Sequence, residues 1–268
     1  MSREQLGPAL FSHARGHLIF DEEERAYLDF FSGAGALSYG HNNPLLREAI
    51  EEHLSNHALA QSQGLRSRAK HIFESTFREQ LLRPRGFDYE LLSTGASGHT
   101  AVEAAIRLAM RHTGRRHVLV LASTRAANPE APRWSTEGVV DPVIGTQGAR
   151  MTRVPLDAFD RDVVDPVDAL EESFFEHCGD VERPAAVIID SVPHHDSTRC
   201  PTGLVWPRLQ SMLHRHGCLV ISDETQIACG RTGPYFCFEN RGHEPDIVCL
   251  AKGVSGFGLP LSLLLFRP

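Results

Sequence analysis

The sequence predicts an α/β fold: a mostly parallel sheet covered by helices on both faces. Three observations carry this. From about residue 89 onward, short unbroken apolar runs at 118–121, 185–189, 218–221 and 247–250 alternate with stretches of helical spacing. The runs show no apolar–polar alternation, so both faces of each strand have to be covered. Polar residues stand just beyond the runs: Ser97 and Gly98, Asp190, Asp223 and Lys252. In open α/β sheets ligands bind beyond the carboxyl ends of the strands, so these residues are expected to collect along one edge.

Taken in order, Leu18, Ile19 and Phe20, an acidic turn at 21–24, and then Ala26, Tyr27 and Leu28 predict a short hairpin. Gly33 and Gly35 break regular structure. Asn43 before Pro44 predicts a helix start, with Asn43 as N-cap and Pro44 in the first turn. Leu46, Ala49, Ile50 and Leu54 then recur at helical spacing. A second amphipathic helix carries Ile72, Phe73, Phe77 and Leu81 and ends before Pro84. Residues 89–92 read as a strand, 94–98 as a loop, and 100–112 as a helix with Val102, Ala105, Ile106 and Ala109 on one face. The 118–121 run is a buried strand. Residues 122–150, rich in Pro, Gly and Ala, have no readable period. A helix over 167–178, a strand over 185–189 ending at Asp190, and a helix over 206–216 closed by Gly217 follow. Strands at 218–221, 247–250 and 261–266 complete the order, the first two leading to Asp223 and Lys252.

The chain has 268 residues, 41% of them hydrophobic and 23% charged, which suits one large domain or two modest ones. A net charge of −7 gives no reason to expect nucleic acid. No apolar run is long enough for a transmembrane helix, and residues 1–10 contain no signal core, so a cytoplasmic protein is expected. The six cysteines have no paired spacing, and Cys218, Cys237 and Cys249 lie in apolar surroundings, as reduced buried thiols do. His194, His195, Asp196 and Cys200 are metal-ligand types, but no second pair has helix or finger spacing, and no metal is expected. Among 27 basic residues only Lys70 and Lys252 are lysine. Arginine cannot lose its proton in a protein or serve as a Schiff-base amine, so a lysine retained in such a chain is a candidate for amine chemistry.

The loop 95–99 runs straight into a helix, whose backbone N–H groups and dipole suit a phosphate. Taken singly, Asp223 reads as a cap or an arginine partner and Lys252 as a solvated surface lysine. Taken together, a phosphate cradle, a strand-end carboxylate and a strand-end lysine are three fixed points of a pyridoxal phosphate site.

Asp223, Glu224, Gln226, Gly230, Arg231, Thr232 and Gly233 within 219–233 resemble the signature of the class III (ω-type) aminotransferases, of fold type I. Pro245, Asp246, Ala251, Lys252 and Gly253 within 245–253 resemble the segment that holds their Schiff-base lysine. Within that class, 27–44, 82–89 and 101–105 are most like the diaminobutyrate–2-oxoglutarate aminotransferases of ectoine and siderophore pathways. The resemblance implies a large cofactor domain over 59–268, preceded by an N-terminal segment, 1–58, that belongs to the family's small domain. It implies roles for Lys252 as covalent anchor and general base, Asp223 on the pyridinium nitrogen, and Gln226 on the ring hydroxyl oxygen. Gly98 and His99, with Ser97 adjacent, would offer N–H groups to the phosphate. The implied reaction moves an amino group between glutamate/2-oxoglutarate and an ω-amino substrate such as aspartate 4-semialdehyde/2,4-diaminobutyrate, in a homodimer.

The sequence also departs from that pattern. His99 replaces a Thr or Ser, no aromatic residue stands at 124–128, and 190–197 lacks a glycine-rich turn. The family's C-terminal small domain, which carries a substrate-binding arginine, has no counterpart in these 268 residues. These departures motivate an alternative, a catalytically inactive aminotransferase-like remnant or scaffold. A zinc-dependent hydrolase is a more distant one.

Overall fold

A computed structural model of the chain describes residues 10–59, 64–122, 148–155, 165–190 and 205–268. The first strands, β1 (Phe11–Arg15), β2 (Leu18–Asp21) and β3 (Ala26–Leu28), form an antiparallel three-stranded sheet. The acidic turn is organised by Asp21, which accepts from the backbone N–H groups of Glu23 and Arg25, from Arg25 Nε and from Tyr27 Oη. The expected hairpin is thus present, with β1 as a further strand.

Helix α1 (Pro44–Ser55) starts where Asn43 Oδ1 accepts from the N–H groups of Leu45 and Leu46. Its apolar stripe buries nothing among the described residues, and Leu45 remains 77% exposed. Helix α2 (Arg68–Phe77) continues as a π-helical turn over Arg78–Leu82 and a 3-10 turn over Arg83–Arg85. The chain therefore stays coiled through Pro84, because proline lacks only an N–H that the first position of a new turn does not use. Gly86 ends it with φ 72°.

The second sheet has seven strands: β4 (Glu90–Gly95), β5 (His117–Ala122), β6 (Arg150–Pro155), β7 (Pro184–Asp190), β8 (Leu219–Asp223), β9 (Ile247–Ala251) and β10 (Ser262–Phe266). Their order is β4-β10-β9-β8-β7-β5-β6. The pairs β5–β6, β5–β7, β7–β8 and β8–β9 are parallel, while β10 is antiparallel to both β9 and β4. Thr94 and Gly95, expected in a loop, extend β4, because they pair with the start of β10.

Both faces of the central strands are covered, while the edge strand β4 has no buried residue. Helix α3 (Gly98–Thr113) packs Ala101, Val102, Ala105, Ile106 and Ala109 onto one face, against Val118, Ile188, Ile221, Ile247 and Cys249. On the other face lie α4 (Pro166–Glu171), its π-helical extension Glu172–Glu176, and α5 (Val205–Arg215). These bury Phe175, Trp206, Leu209 and Leu213 against Leu119, Leu121, Val187, Ile189 and Val220. A third cluster sets Phe77, Phe236 and Phe238 against Val248, Leu250 and Leu263. Each such side chain contributes about 1.5–3 kcal/mol through burial. Alternate residues of β9 thus serve opposite faces, and all five are buried.

The segments 124–128 and 191–197, and the residues His194, His195, Asp196 and Cys200, lie outside the described residues. Cys178, Cys218, Cys229, Cys237 and Cys249 are free thiols. No helix among the described residues is long and apolar enough to cross a membrane.

Candidate functional site

Sheet register sets the site. Asp190 pairs with Asp223 and Asp223 with Cys249, so β7, β8 and β9 end almost level. Ser262 pairs with Ala251 on one side and Gly95 on the other, which puts the end of β4 level with the end of β9. The entry to α3, Asp223 and Lys252 therefore share one edge.

At β4's end, Ser97 caps α3, accepting from Thr100 N. The N–H groups of Gly98 and His99 lie in the first turn, where no intrahelical acceptor exists. The His99 side chain is exposed. Gly98 packs against Thr225: a Cβ on Gly98 would lie 2.9 Å from Thr225 Cβ. Thr225 in turn donates to Asp223 Oδ1 from its N–H at 3.0 Å and from its hydroxyl at 2.7 Å. One threonine thus spaces the helix entry from the carboxylate and orients that carboxylate.

Lys252 Nζ donates to Gln226 Oε1 at 2.9 Å and to the carbonyl of Ala34 at 3.2 Å. Its pKa is held below the ordinary lysine range by burial first, then by the charge of Arg231, while Asp223 acts in the opposite sense. Arg231 anchors its guanidinium on the carbonyl of Gly35 at 2.6 Å.

Those two carbonyls belong to an unusual turn. Ser32, Gly33, Ala34 and Gly35 have φ of 49°, 59°, 52° and 92°. Left-handed backbone costs roughly 1–2 kcal/mol at a residue with a Cβ, so Ser32 and Ala34 are held by their surroundings. Asp29 Oδ1 accepts the N–H groups of Phe31 and Ser32, each at 2.9 Å, and Asp29 Oδ2 meets His41 Nε2 at 2.8 Å. Ser32 Oγ donates to the Leu37 carbonyl. The φ of 92° at Gly35 favours glycine, and a Cβ there, 2.5 Å from the Arg231 guanidinium, would push that group off its carbonyl. Cys229 and Lys252 themselves also have positive φ, 65° and 53°. Ser32, Ala34, Cys229 and Lys252, all with a Cβ and positive φ, thus belong to the segments that meet at the lysine.

Beside Asp223, Glu224 is fully buried and accepts the N–H groups of Cys237 and Phe238, both at 2.8 Å. Burial pushes it up to about 7 against those donors.

The structure therefore brings Lys252 and Gln226 into contact. It places Asp223 on the neighbouring strand end and Ser97, Gly98 and His99 at the helix entry across β10. Thr225, Arg231 and the Ala34 and Gly35 carbonyls were not assigned a role by the sequence. Gly33 and Gly35 were the visible signal for the turn. A cofactor that needs a reactive amine, an anion cradle and an oriented carboxylate fits this set, and no cluster of three metal-ligating side chains occurs among the described residues.

The family described as aminotransferase class-III matches residues 1–267. A diaminobutyrate–2-oxoglutarate transaminase of Bordetella parapertussis is 38% identical over 270 residues, covering 97% of this chain and 60% of that protein. The protein of the same description from Vibrio cholerae is 36% identical, covering 97% and 63%. Among solved structures, the S-selective transaminase from Arthrobacter sp. superposes with a TM-score of 0.76 at 22% identity, covering 99% of this chain and 61% of that one. The acetylornithine aminotransferase from Elizabethkingia anophelis has a TM-score of 0.71 at 25% identity, with 97% and 61% covered. The chain thus spans about 60% of the length of the curated relatives it matches.

Proposed function

Since the chain belongs to the class-III aminotransferases, we propose that it is the cofactor-binding part of a pyridoxal-phosphate-dependent aminotransferase. Its substrates would be amino acids and 2-oxo acids, specifically glutamate/2-oxoglutarate with an ω-amino partner such as 2,4-diaminobutyrate. The observation that carries this is the Lys252 amine, held at the end of β9 by Gln226 and level with Asp223 and the entry to α3.

When bound, pyridoxal phosphate supplies an aldehyde for amines and a ring that takes up electrons. The chain's residues supply the rest. Gly98 and His99 would present backbone N–H groups to the phosphate, with the α3 dipole behind them and Ser97 alongside. Asp223, oriented by Thr225, would hold a proton at the ring nitrogen. Gln226, which holds the lysine, would also bond the ring hydroxyl oxygen. Lys252 would bond covalently to the aldehyde carbon and later hold and move a proton at Nζ, which requires an amine that loses its proton readily.

A homodimer fits the exposed apolar side chains of the N-terminal segment, Phe30 and Phe31 being 92% and 74% exposed. The two separate sheets support dividing the chain into the segment 1–58 and the large domain 59–268. Free thiols fit a reducing, cytoplasmic setting.

The test is aminotransfer from 2,4-diaminobutyrate to 2-oxoglutarate with cofactor added. Glutamate formation that is lost in Lys252→Ala is expected. Covalent cofactor attachment without any turnover would favour the scaffold reading for this chain. Turnover surviving in Lys252→Ala would defeat the proposal.

A further inference from the structure

The Ser32–Gly35 turn offers successive carbonyls to two basic side chains, Lys252 and Arg231. Successive carbonyls point to different guests, Ala34 to Lys252 Nζ at 3.2 Å and Gly35 to the Arg231 guanidinium at 2.6 Å. Here each is held by a neutral acceptor, Lys252 also by Gln226 at 2.9 Å. The turn itself is pinned from behind by Asp29, which His41 meets at 2.8 Å.

The consequence is electrostatic. A guanidinium stays charged at every pH a protein survives. A fixed cation beside an amine disfavours the ammonium form, which is one of the established ways to make a lysine nucleophilic. The charged groups acting on Lys252 are Arg231, which opposes protonation, and Asp223, which favours it, and burial sides with Arg231. Gln226 and the Ala34 carbonyl are neutral.

We propose that Arg231 is a positioning residue for the reactive amine: anchored on the Gly35 carbonyl, next to the Ala34 carbonyl that holds Nζ, its fixed charge disfavours the ammonium form of Lys252 and so favours the nucleophilic amine. The inference rests on reading Lys252 as the reactive amine, and it concerns the chain before any cofactor arrives.

Only two lysines occur in the sequence, so their reactivities can be compared within one sample. Lys70, on α2 beside Glu74 at 3.7 Å, is the reference. The chain, without cofactor, is labelled with limiting acetic anhydride from neutral to alkaline pH, and each lysine peptide is quantified by mass spectrometry. Lys252 is expected to reach half-reactivity at lower pH than Lys70. Arg231→Gln should move the Lys252 midpoint to higher pH and leave Lys70 in place. Arg231→Lys, which keeps a cation, should restore most of the difference. A wild-type Lys252 midpoint at or above that of Lys70 overturns the proposal without any variant. So does an Arg231→Gln chain with native circular dichroism and an unmoved Lys252 midpoint. A Lys252 that shows the low midpoint yet never bonds pyridoxal phosphate would instead count against the function proposed above.

Discussion

Single residues show how far side-chain type alone could be read. Lys252 stood out because arginine fills nearly every other basic position, and Asp223 because it closes an apolar run. Arg231 had no such contrast, and its position beside Lys252 depends on a turn nearly 200 residues away in sequence. Glu224 was equally hidden, since nothing in the sequence says that a carboxyl is fully buried. Its chemistry makes a prediction. Burial raises Glu224 to about 7 from 4.5, so it stabilises the fold in its protonated form. That contribution is complete below the unfolded value and is lost as pH rises through about 7. At about 1.4 kcal/mol per unit it amounts to roughly 3 kcal/mol at most. Urea unfolding should show stability falling between about pH 5 and about pH 8. Glu224→Gln, neutral throughout, should flatten that fall, and equal slopes in both proteins would reject this origin.

At the scale of elements, the central strands β5, β7, β8 and β9 were legible because burial on both faces leaves unbroken apolar runs. Strand β6 was not. It lies at the sheet edge, where Met151 and Val154 are buried while Arg150 and Arg153 interrupt the pattern. The direction of β10 was also illegible, because Leu263, Leu264 and Leu265 would read the same in a parallel strand. The helix predicted over 167–178 is there, but its second half is π-helical, a difference no hydrophobic period reports. Helix α3 carries a testable cap. Ser97→Ala removes the acceptor for Thr100 N and should lower stability by about 1 kcal/mol. It should also weaken binding of pyridoxal phosphate, because the helix entry is its phosphate cradle in this account. Thermal melts with and without cofactor check both, and an unchanged cofactor-induced rise in Tm would separate the cap from the cradle.

Across the whole molecule, burial is uneven. The central strands of the seven-stranded sheet are closed on both faces, whereas Leu28, Phe30, Phe31, Tyr39, Leu45 and Leu54 of the N-terminal segment are exposed. A second copy covering that segment predicts a dimer in sedimentation that Phe30→Glu with Phe31→Glu reduces to monomer. A wild-type monomer would remove the second copy as the explanation. The amphipathic spacing of α1 was readable in the sequence, but what its stripe packs against was not, because periodicity marks a face and not its partner. The proposed function depends on one bond, between Lys252 and pyridoxal phosphate. The direct measurement is borohydride reduction of the chain incubated with pyridoxal phosphate, followed by peptide mass mapping. One reduced phosphopyridoxyl group per chain is expected, on Lys252, with Lys70 unmodified at stoichiometric cofactor. Equal labelling of both lysines, or none at Lys252, would contradict it.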